Sequence, residues 1–518
     1  MVEKRLLGKK DVWDIKQYVC KAKRLDIETG KRIVLFNKQD AIENDIYVGY
    51  RVGLKHGNKV AIGIVDLTDH MVEPGQVGIF KDLQQELGLK DEERIEIRHI
   101  KKPESVVYIK KKMDKIELKP SEISTVMDEL MRGYLGEIEL ASFVSAIYIN
   151  GVTEEEVIGL TDSIVKSGDT LNLGRHLIAD KHCIGGVAGN RTTMVLVPII
   201  AAAGISIPKA SSRSITSAAG TADTMEVLSG IDFSIEEMRH IVKKANGCIV
   251  WGGGTTLASA DDLLIKIRHP LSLDPKGLLL ASILAKKKSV GANHVIIDIP
   301  VGMGAKLHDM ADANALGADF VKIGRRLGMS IDVLITDGNN PIGRGIGPTL
   351  ECIDVLNVLA NNGPGDLREK SCIIAGRLLE MCGKAKKGRG YAQASSILES
   401  GAALRKMRQI IELQGGDSDV KPADLPIGNC HEDIIADRNG KLVGYDNRTI
   451  SRLARAAGAP NDKGAGILLF KEPGEKVRSG EKIMRVYAES ESKLDFALKA
   501  MKKWETYTLK KIILNELG

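Results

Sequence analysis

With 518 residues and a mass of 56.1 kDa, the chain is too long for one ordinary hydrophobic core, which predicts two to four domains. Hydrophobic residues at 43% and charged residues at 27% exclude a disordered or fibrous protein. The net charge of +6 is small and aromatics are 4%, which argues against a nucleic-acid polymer as partner but leaves room for a small anion.

The longest apolar stretch, Met194–Ile207, is broken by Pro198 and Gly204 and falls short of a bilayer span. The opening MVEKRLLGKKDVWD lacks the apolar core of a signal peptide, so a cytoplasmic protein without membrane contact is expected. The seven cysteines (Cys20, Cys183, Cys248, Cys352, Cys372, Cys382, Cys430) form no CxxC pair, which predicts reduced thiols rather than a disulfide framework or a metal site.

Residues 1–100 read as β-rich. Runs at Arg32–Phe36, Ile46–Val52, Val60–Leu67 and Arg94–Ile97 are separated by Gly, Asn and Asp turns. From Val72 a turn, a short helix and a strand follow, a pattern that resembles half of a double-psi β-barrel. The Lys-rich segment Ile100–Pro120 is the expected boundary. From Ser121 the apolar spacing becomes helical, with Ser121 as a candidate cap. Thr153 then caps a helix with an acidic first turn.

Beyond Leu173 apolar strand, Gly-rich turn and helix alternate, which predicts a doubly wound α/β sheet. Val295–Ile299, Phe320–Ile323 and Asp332–Thr336 are the expected buried strands, with helices between them. From about Asp417 short strands return in GKLVGYD, GAGILLF and KIMRVYA, and a terminal helix or strand follows Glu489.

Two neighbouring segments carry the chemistry. Asp180–Thr193, DKHCIGGVAGNRTT, is a strand end, then glycines, then hydroxyls opening the apolar helix Met194–Ala203. Its glycines let backbone N–H groups approach a ligand, and a helix N-terminus favours an anion. Lys209–Leu228 places six hydroxyls (Ser211, Ser212, Ser214, Thr216, Ser217, Thr221) and Arg213 within 11 positions. A cap or turn accounts for one or two such groups, not for six beside an arginine. Together the two segments predict an anion site.

The first segment resembles the phosphate loop of the thymidine/pyrimidine nucleoside phosphorylase family, Lys-His-Ser-x-Gly-Gly-Val. The second resembles that family's Ser-Gly-Arg-Gly signature followed by Gly-Thr-x-Asp and Glu, here Ser211–Ser214, Gly220–Asp223 and Glu226. The likeness continues through LASADD (Leu257–Asp262), DPKGLLLASILAKK (Asp274–Lys287), VGMGAK (Val301–Lys306) and ITDGNNPIGRGIGPTLE (Ile335–Glu351). In the pyrimidine nucleoside enzymes the second segment is glycine-rich and holds a His near its centre. Here Ser212, Ser214 and Thr216 take the small positions and Ser217 stands where that His would be. Hydroxyls beside Arg213 suit a phosphate dianion, whereas a nucleoside's 5′-hydroxyl would leave most of them unpaired. The substitution resembles the AMP phosphorylase branch of the family.

That resemblance implies AMP plus phosphate giving adenine and ribose 1,5-bisphosphate, with CMP and UMP as further candidate substrates. It implies nucleotide contacts at Gly186, Ser212, Arg213, Ser214, Ile215, Thr216, Ser217, Thr221, Ser282 and Lys306. It implies phosphate contacts at Lys181, Thr193 and Ser211, shared with Thr221, and a proton donor at Asp274. Such a donor must stay protonated near neutral pH, which calls for burial or a neighbouring carboxylate. Each role has a plainer rival. Asp274 before a proline suits a helix cap, Ser282 a hydroxyl bonding back to its own helix, and Lys306 a solvated turn. His182 polarises the base or packs beneath the loop. Arg268 and Lys286 match positions that hold a pyrimidine ring, and Cys183 stands where relatives carry Ser.

The expected architecture is multi-domain α/β, with the active site in the interdomain cleft. It comprises an N-terminal β-barrel-like domain (1–100), a helical domain (101–175 with 255–290), an α/β phosphate-binding domain (176–254 and 291–415) and a C-terminal β-rich, sandwich-like domain (416–518). No metal or other cofactor is expected, because cationic and hydroxyl donors serve instead; the resemblance implies inorganic phosphate as co-substrate. A homodimer is expected, with larger homo-oligomers built through the N-terminal domain. The rivals are a phosphorylase of free nucleosides, an anthranilate-type phosphoribosyltransferase lacking the acidic pair for magnesium, and a nucleotide-sensing scaffold.

Overall fold

The computed structural model describes residues 13–510, which form two compact units: residues up to 163 with 263–275, and 164–262 with the remainder from 276. In the first unit, six strands close a barrel: β1 (Trp13–Arg24), β2 (Ile33–Asn37), β3 (Arg51–His56), β4 (Lys59–Thr68), β5 (Gln76–Ile79) and β6 (Arg94–Ile100). The order is β1-β5-β2-β4-β3-β6, with β1/β5 and β2/β4 parallel and the other neighbours antiparallel. Val34, Leu54, Val77, Ile79, Ile95 and Ile97 fill its interior, as alternation along each strand requires.

One strand expectation in this unit needs correction. The run Ile46–Val52 is turn until Arg51, where β3 begins and continues to His56. The Lys-rich segment 100–120, expected as the boundary, contains the helix Ser105–Met113. The next helix, Pro120–Met131, starts before Ser121: proline fits the first turn, and Glu122 accepts from the Lys119 N–H at 2.8 Å. Thr153 does cap the helix Glu154–Lys166, its hydroxyl accepting from Glu156 N at 3.3 Å. Glu156 in turn meets the buried Lys112 ammonium at 2.7 Å and fixes the packing of these helices. Of the expected return segment 255–290, residues 263–275 belong to this first unit and the helix Lys276–Ser289 to the second.

The second unit is built on a parallel sheet of β7 (Ala179–Cys183), β8 (Ile207–Ser211), β9 (Gly247–Trp251), β10 (His294–Val301) and β11 (Ser330–Asp337). β11-β10-β7 form one ladder and β8-β9 another, joined by a parallel bridge between Ile178 and Ser206. The spatial order is therefore β9-β8-β7-β10-β11. Its core includes the helix Thr192–Ala202, buried all round, whose Pro198 lies inside the helix. Phe320–Ile323 is not a strand but part of the helix Met310–Arg326. Ala313, Leu316, Gly317, Phe320 and Gly324 recur at helical spacing on its buried face, and the Asp309 carboxylate caps its start.

The remaining strands are β12 (Gly345–Ile346), β13 (Cys430–Ile435), β14 (Gly440–Tyr445), β15 (Gly466–Leu469), β16 (Lys476–Val477), β17 (Lys482–Ala488) and β18 (Tyr507–Lys510). They form two sheets, β12-β15-β17-β13 and β16-β14-β18, around a core shared with the helices Asn447–Ala456 and Glu491–Met501. All seven cysteines are free, and no helix among the described residues is long and apolar enough to cross a membrane.

Candidate active site

In the parallel sheet the chain runs from β7 towards β8 on one side and from β10 towards β11 on the other. Loops leaving β7 and β10 therefore diverge, and such a switch point opens a crevice at the carboxyl ends of the strands. Both glycine-bearing motifs lie there. The turn after β7 contains Gly186 at φ +96°, and a β-carbon on it would collide with the backbone of Ala305 and Lys306, beyond the end of β10. Only glycine allows this approach, which brings Gly186 and Lys306 together. Lys306 itself is exposed.

Beneath this turn lies a buried layer of charge. Lys181, 1% exposed, donates to Thr192 Oγ1 at 2.9 Å and sits 3.4 Å from Asp298. Lys370 reaches the same carboxylate at 3.5 Å, and Thr336 donates to it at 2.7 Å. Burial alone would raise the Asp298 carboxyl, but the two lysines and the hydrogen bonds to it outweigh burial and hold it low. Asp180 pairs with Lys287 at 2.6 Å and lies 3.7 Å from Lys209. Burial and the Lys287 charge push the Lys209 amine down. Burial and the surrounding lysines also hold His182 well below the usual imidazole range, so it is neutral. Burial lifts the Cys183 thiol to about 11, and its sulfur accepts from Asn190 at 3.5 Å. Even without Lys209, whose amine is pushed down, three lysines face two carboxylates, an excess of cation suited to an anion. Thr193, buried, lies in the first turn of the helix that follows.

The hydroxyl loop leaves β8. Ser211 is buried, and its Oγ has no hydrogen-bond partner among the described residues. Ser212, Ile215 and Thr216 are exposed. Ser214 donates to the Ser217 carbonyl, and Ser217 donates to Ser214 Oγ at 3.1 Å and to the Ala219 carbonyl at 3.0 Å. The Asp223 carboxylate accepts from Ser214 N at 2.7 Å and Gly220 N at 2.9 Å, closing the loop onto the short helix Thr221–Met225. Arg213 does not present a bare guanidinium. It is bound by Glu226 at 2.7 and 2.5 Å and by Asp223 at 3.3 Å, and it stacks on Trp251 at 4.9 Å.

Arg191 links the two segments, and sequence reasoning assigned it no role. Its Nη1 donates to Thr221 Oγ1 and its Nη2 to the Ala219 carbonyl, each at 3.0 Å, while its Nε pairs with buried Glu351. Glu351 also accepts from Gly347 N at 3.1 Å. Burial raises the Glu351 carboxyl despite Arg191. The signal available was a lone arginine between the loop glycines and the helix hydroxyls.

Ser282 does not bond back to its own helix: its hydroxyl donates to Asp261 at 2.6 Å, and Lys286 meets the same carboxylate at 2.8 Å. Asp274 belongs to the first unit. The following helix begins at Lys276, and the Asp274 carboxylate meets Arg268 at 3.3 Å with 44% of its side chain exposed. The surroundings expected of a buried acid are therefore not the ones observed.

Comparison with known proteins matches residues 106–168 to a glycosyl transferase family helical bundle domain and 175–404 to the α/β domain of that family. Residues 442–508 match a pyrimidine nucleoside phosphorylase C-terminal domain. The fold resembles anthranilate phosphoribosyltransferase from Thermus thermophilus, with a TM-score of 0.51 and 19% identity over 59% of this chain and 98% of that one. AMP phosphorylase from Pyrococcus furiosus is 46% identical, covering 95% of this chain and 98% of its own length. The enzymes of that name from Thermococcus kodakarensis and Methanococcoides burtonii are 44% and 43% identical, each over 96% of this chain and 99% and 98% of their own. At such identity over nearly the whole length, with the glycine turn and the hydroxyl loop joined at the sheet's switch point, the chain belongs to the AMP phosphorylase family.

Proposed function

We propose that this chain phosphorolyses nucleoside 5′-monophosphates, converting AMP and inorganic phosphate to adenine and ribose 1,5-bisphosphate. The observation that carries the proposal is the coupling of the hydroxyl loop to the glycine turn through Arg191, in a chain similar to AMP phosphorylases over its length. An oxygen of inorganic phosphate attacks the anomeric carbon as the C1′–N bond breaks. The bonding pair leaves with the base, and a ring nitrogen takes up a proton. Lys181, Thr193, Ser211 and Thr221 are assigned to the attacking phosphate. The Ser211 hydroxyl, which has no hydrogen-bond partner among the described residues, and the lysines around Asp298 support that assignment.

Gly186, Ser212, Ser214, Ile215, Thr216, Ser217, Thr221, Ser282 and Lys306 are assigned to the nucleotide by direct contact, Arg213 through the loop that it braces, and Asp274 to protonation of the leaving base. The acid belongs to one unit and the loops to the other, so the proposal requires both to act on one substrate. No metal enters it, since cationic and hydroxyl donors serve the phosphates. CMP and UMP are proposed as further substrates, and a homodimer or larger homo-oligomer as the working assembly.

The test is release of free base from AMP, CMP, UMP and adenosine, with and without inorganic phosphate. Phosphate-dependent adenine from AMP, with little from adenosine, is expected. Adenine released without phosphate, or equally well from adenosine, would overturn the proposal.

A further inference from the structure

If the substrate carries a 5′-phosphate, the hydroxyl loop needs a cation, and Arg213 is poorly placed to give one. Its guanidinium is bound by Glu226 and Asp223, and Glu226 also takes the Lys463 ammonium at 2.6 Å. Two cations meet two carboxylates there, which leaves no excess positive charge. For a dianion to draw on Arg213 it would have to displace a bidentate carboxylate, among the strongest pairings the guanidinium forms.

The loop also borders a second environment. Ser214 lines a cavity of about 360 Å³ together with Arg455, Asn461, Lys493 and the small residues from Ala456 to Pro460. Arg455 projects from the last turn of the helix Asn447–Ala456, and its Nη1 donates to the Ser217 carbonyl at 3.2 Å. That carbonyl also accepts from the Ser214 hydroxyl, so the arginine and the loop meet at one atom. An arginine in a last turn suits the helix dipole without further purpose. The dipole does not account for a guanidinium that reaches a carbonyl of the hydroxyl loop. Lys493 has Asp462 as its partner, so its charge is already met. The hydrogen bond from Arg455 to Ser217 ends on a neutral carbonyl, so that contact does not compensate its charge.

We propose that Arg455 is a specificity-determining residue, supplying the cation that holds the substrate's 5′-phosphate in the cavity between Ser214 and Arg455. This rests on the proposed function and deepens it. The handle comes from the C-terminal domain, and Arg213 is a brace that shapes the loop. A charge-assisted contact of this kind discriminates an anion from a hydroxyl by roughly tenfold or more.

The test crosses two ligands with two side chains in the full-length protein. Affinities for AMP and adenosine are measured by calorimetry for wild type, Arg455→Gln and Arg455→Lys, along with the KM for inorganic phosphate. Arg455→Gln is expected to weaken AMP about tenfold or more, with adenosine and the phosphate KM within about twofold of wild type. Arg455→Lys, which keeps the charge, is expected to fall between them. Equal losses for AMP and adenosine would make Arg455 a prop for the loop and overturn the assignment, as would an unchanged AMP affinity. A wild-type protein that binds AMP no better than adenosine removes the functional proposal itself. Wild-type selectivity that survives in Arg455→Gln removes the Arg455 assignment alone.

Discussion

Arg213 and Glu226 face each other through paired hydrogen bonds of 2.7 and 2.5 Å, across thirteen positions of the chain. The pairing holds the Glu226 carboxyl down at about 2, with Lys463 adding to the effect. Arg213, the one cation among the hydroxyls of that segment, is thus paired within its own loop, although a third of its side chain stays exposed.

Glu226→Gln should therefore disturb the loop more than the fold. The pair is about one-third exposed, which limits its stability contribution to roughly 1 kcal/mol. The melting temperature should fall by no more than a few degrees, while the KM for AMP rises several-fold. Steady-state kinetics beside a melting curve separates the two effects. An unchanged KM would remove Glu226 as the brace.

Gly186→Ala tests the switch point. The residue sits at φ +96°, and an added methyl would meet the backbone of Ala305 and Lys306, which cannot swing aside like a long side chain. Forcing a β-carbon into that conformation costs roughly 1–3 kcal/mol locally. Activity should drop by at least tenfold with circular dichroism unchanged. Activity within twofold of wild type would show that the turn does not need the close approach.

How much of this was legible follows from the range of each interaction. The glycine turn, the hydroxyl cluster and strands such as β10 and β11 are local patterns, and the chain displays them directly. Phe320–Ile323 misleads because four residues, three of them apolar, are too few to show a period; Ala313, Leu316 and Gly317 settle it as helix once the longer window is read. The partners of the charged residues were hidden for another reason. Lys287 meets Asp180 from 107 positions away, and Asp261 takes the Ser282 hydroxyl from another helix. Strand order brings such pairs together, and no spacing in the sequence encodes it. The same holds for the partners of Arg191, since Thr221 lies 30 positions further along the chain.

Asp274→Asn addresses the proton donor. General acid catalysis contributes about 10²–10⁴-fold, so turnover should fall by that order while AMP affinity stays within a few-fold. The observed pairing with Arg268 makes the experiment sharper, because a residue serving only as an ion-pair partner would affect melting and leave turnover nearly intact. Near-wild-type turnover would remove Asp274 from the chemistry.

Asp354 offers a prediction about pH. Its carboxylate accepts from Arg344 N and Gly345 N, each at 2.7 Å, yet burial lifts the carboxyl to about 6, with nearby Asp366 adding to the rise. In the unfolded chain an aspartate titrates near 4. Between these values the folded protein binds the extra proton, so stability from this group is greatest below about pH 4, declines as pH rises to about 6 and is level beyond. The difference amounts to roughly 3 kcal/mol at most. Asp354→Asn keeps an oxygen for the two N–H groups and removes the titration. Relative to wild type, its melting temperature should rise as the pH is taken from 4 to 6 and stay constant above that. A difference that is flat across this range would mean that the buried carboxyl does not change its protonation on folding.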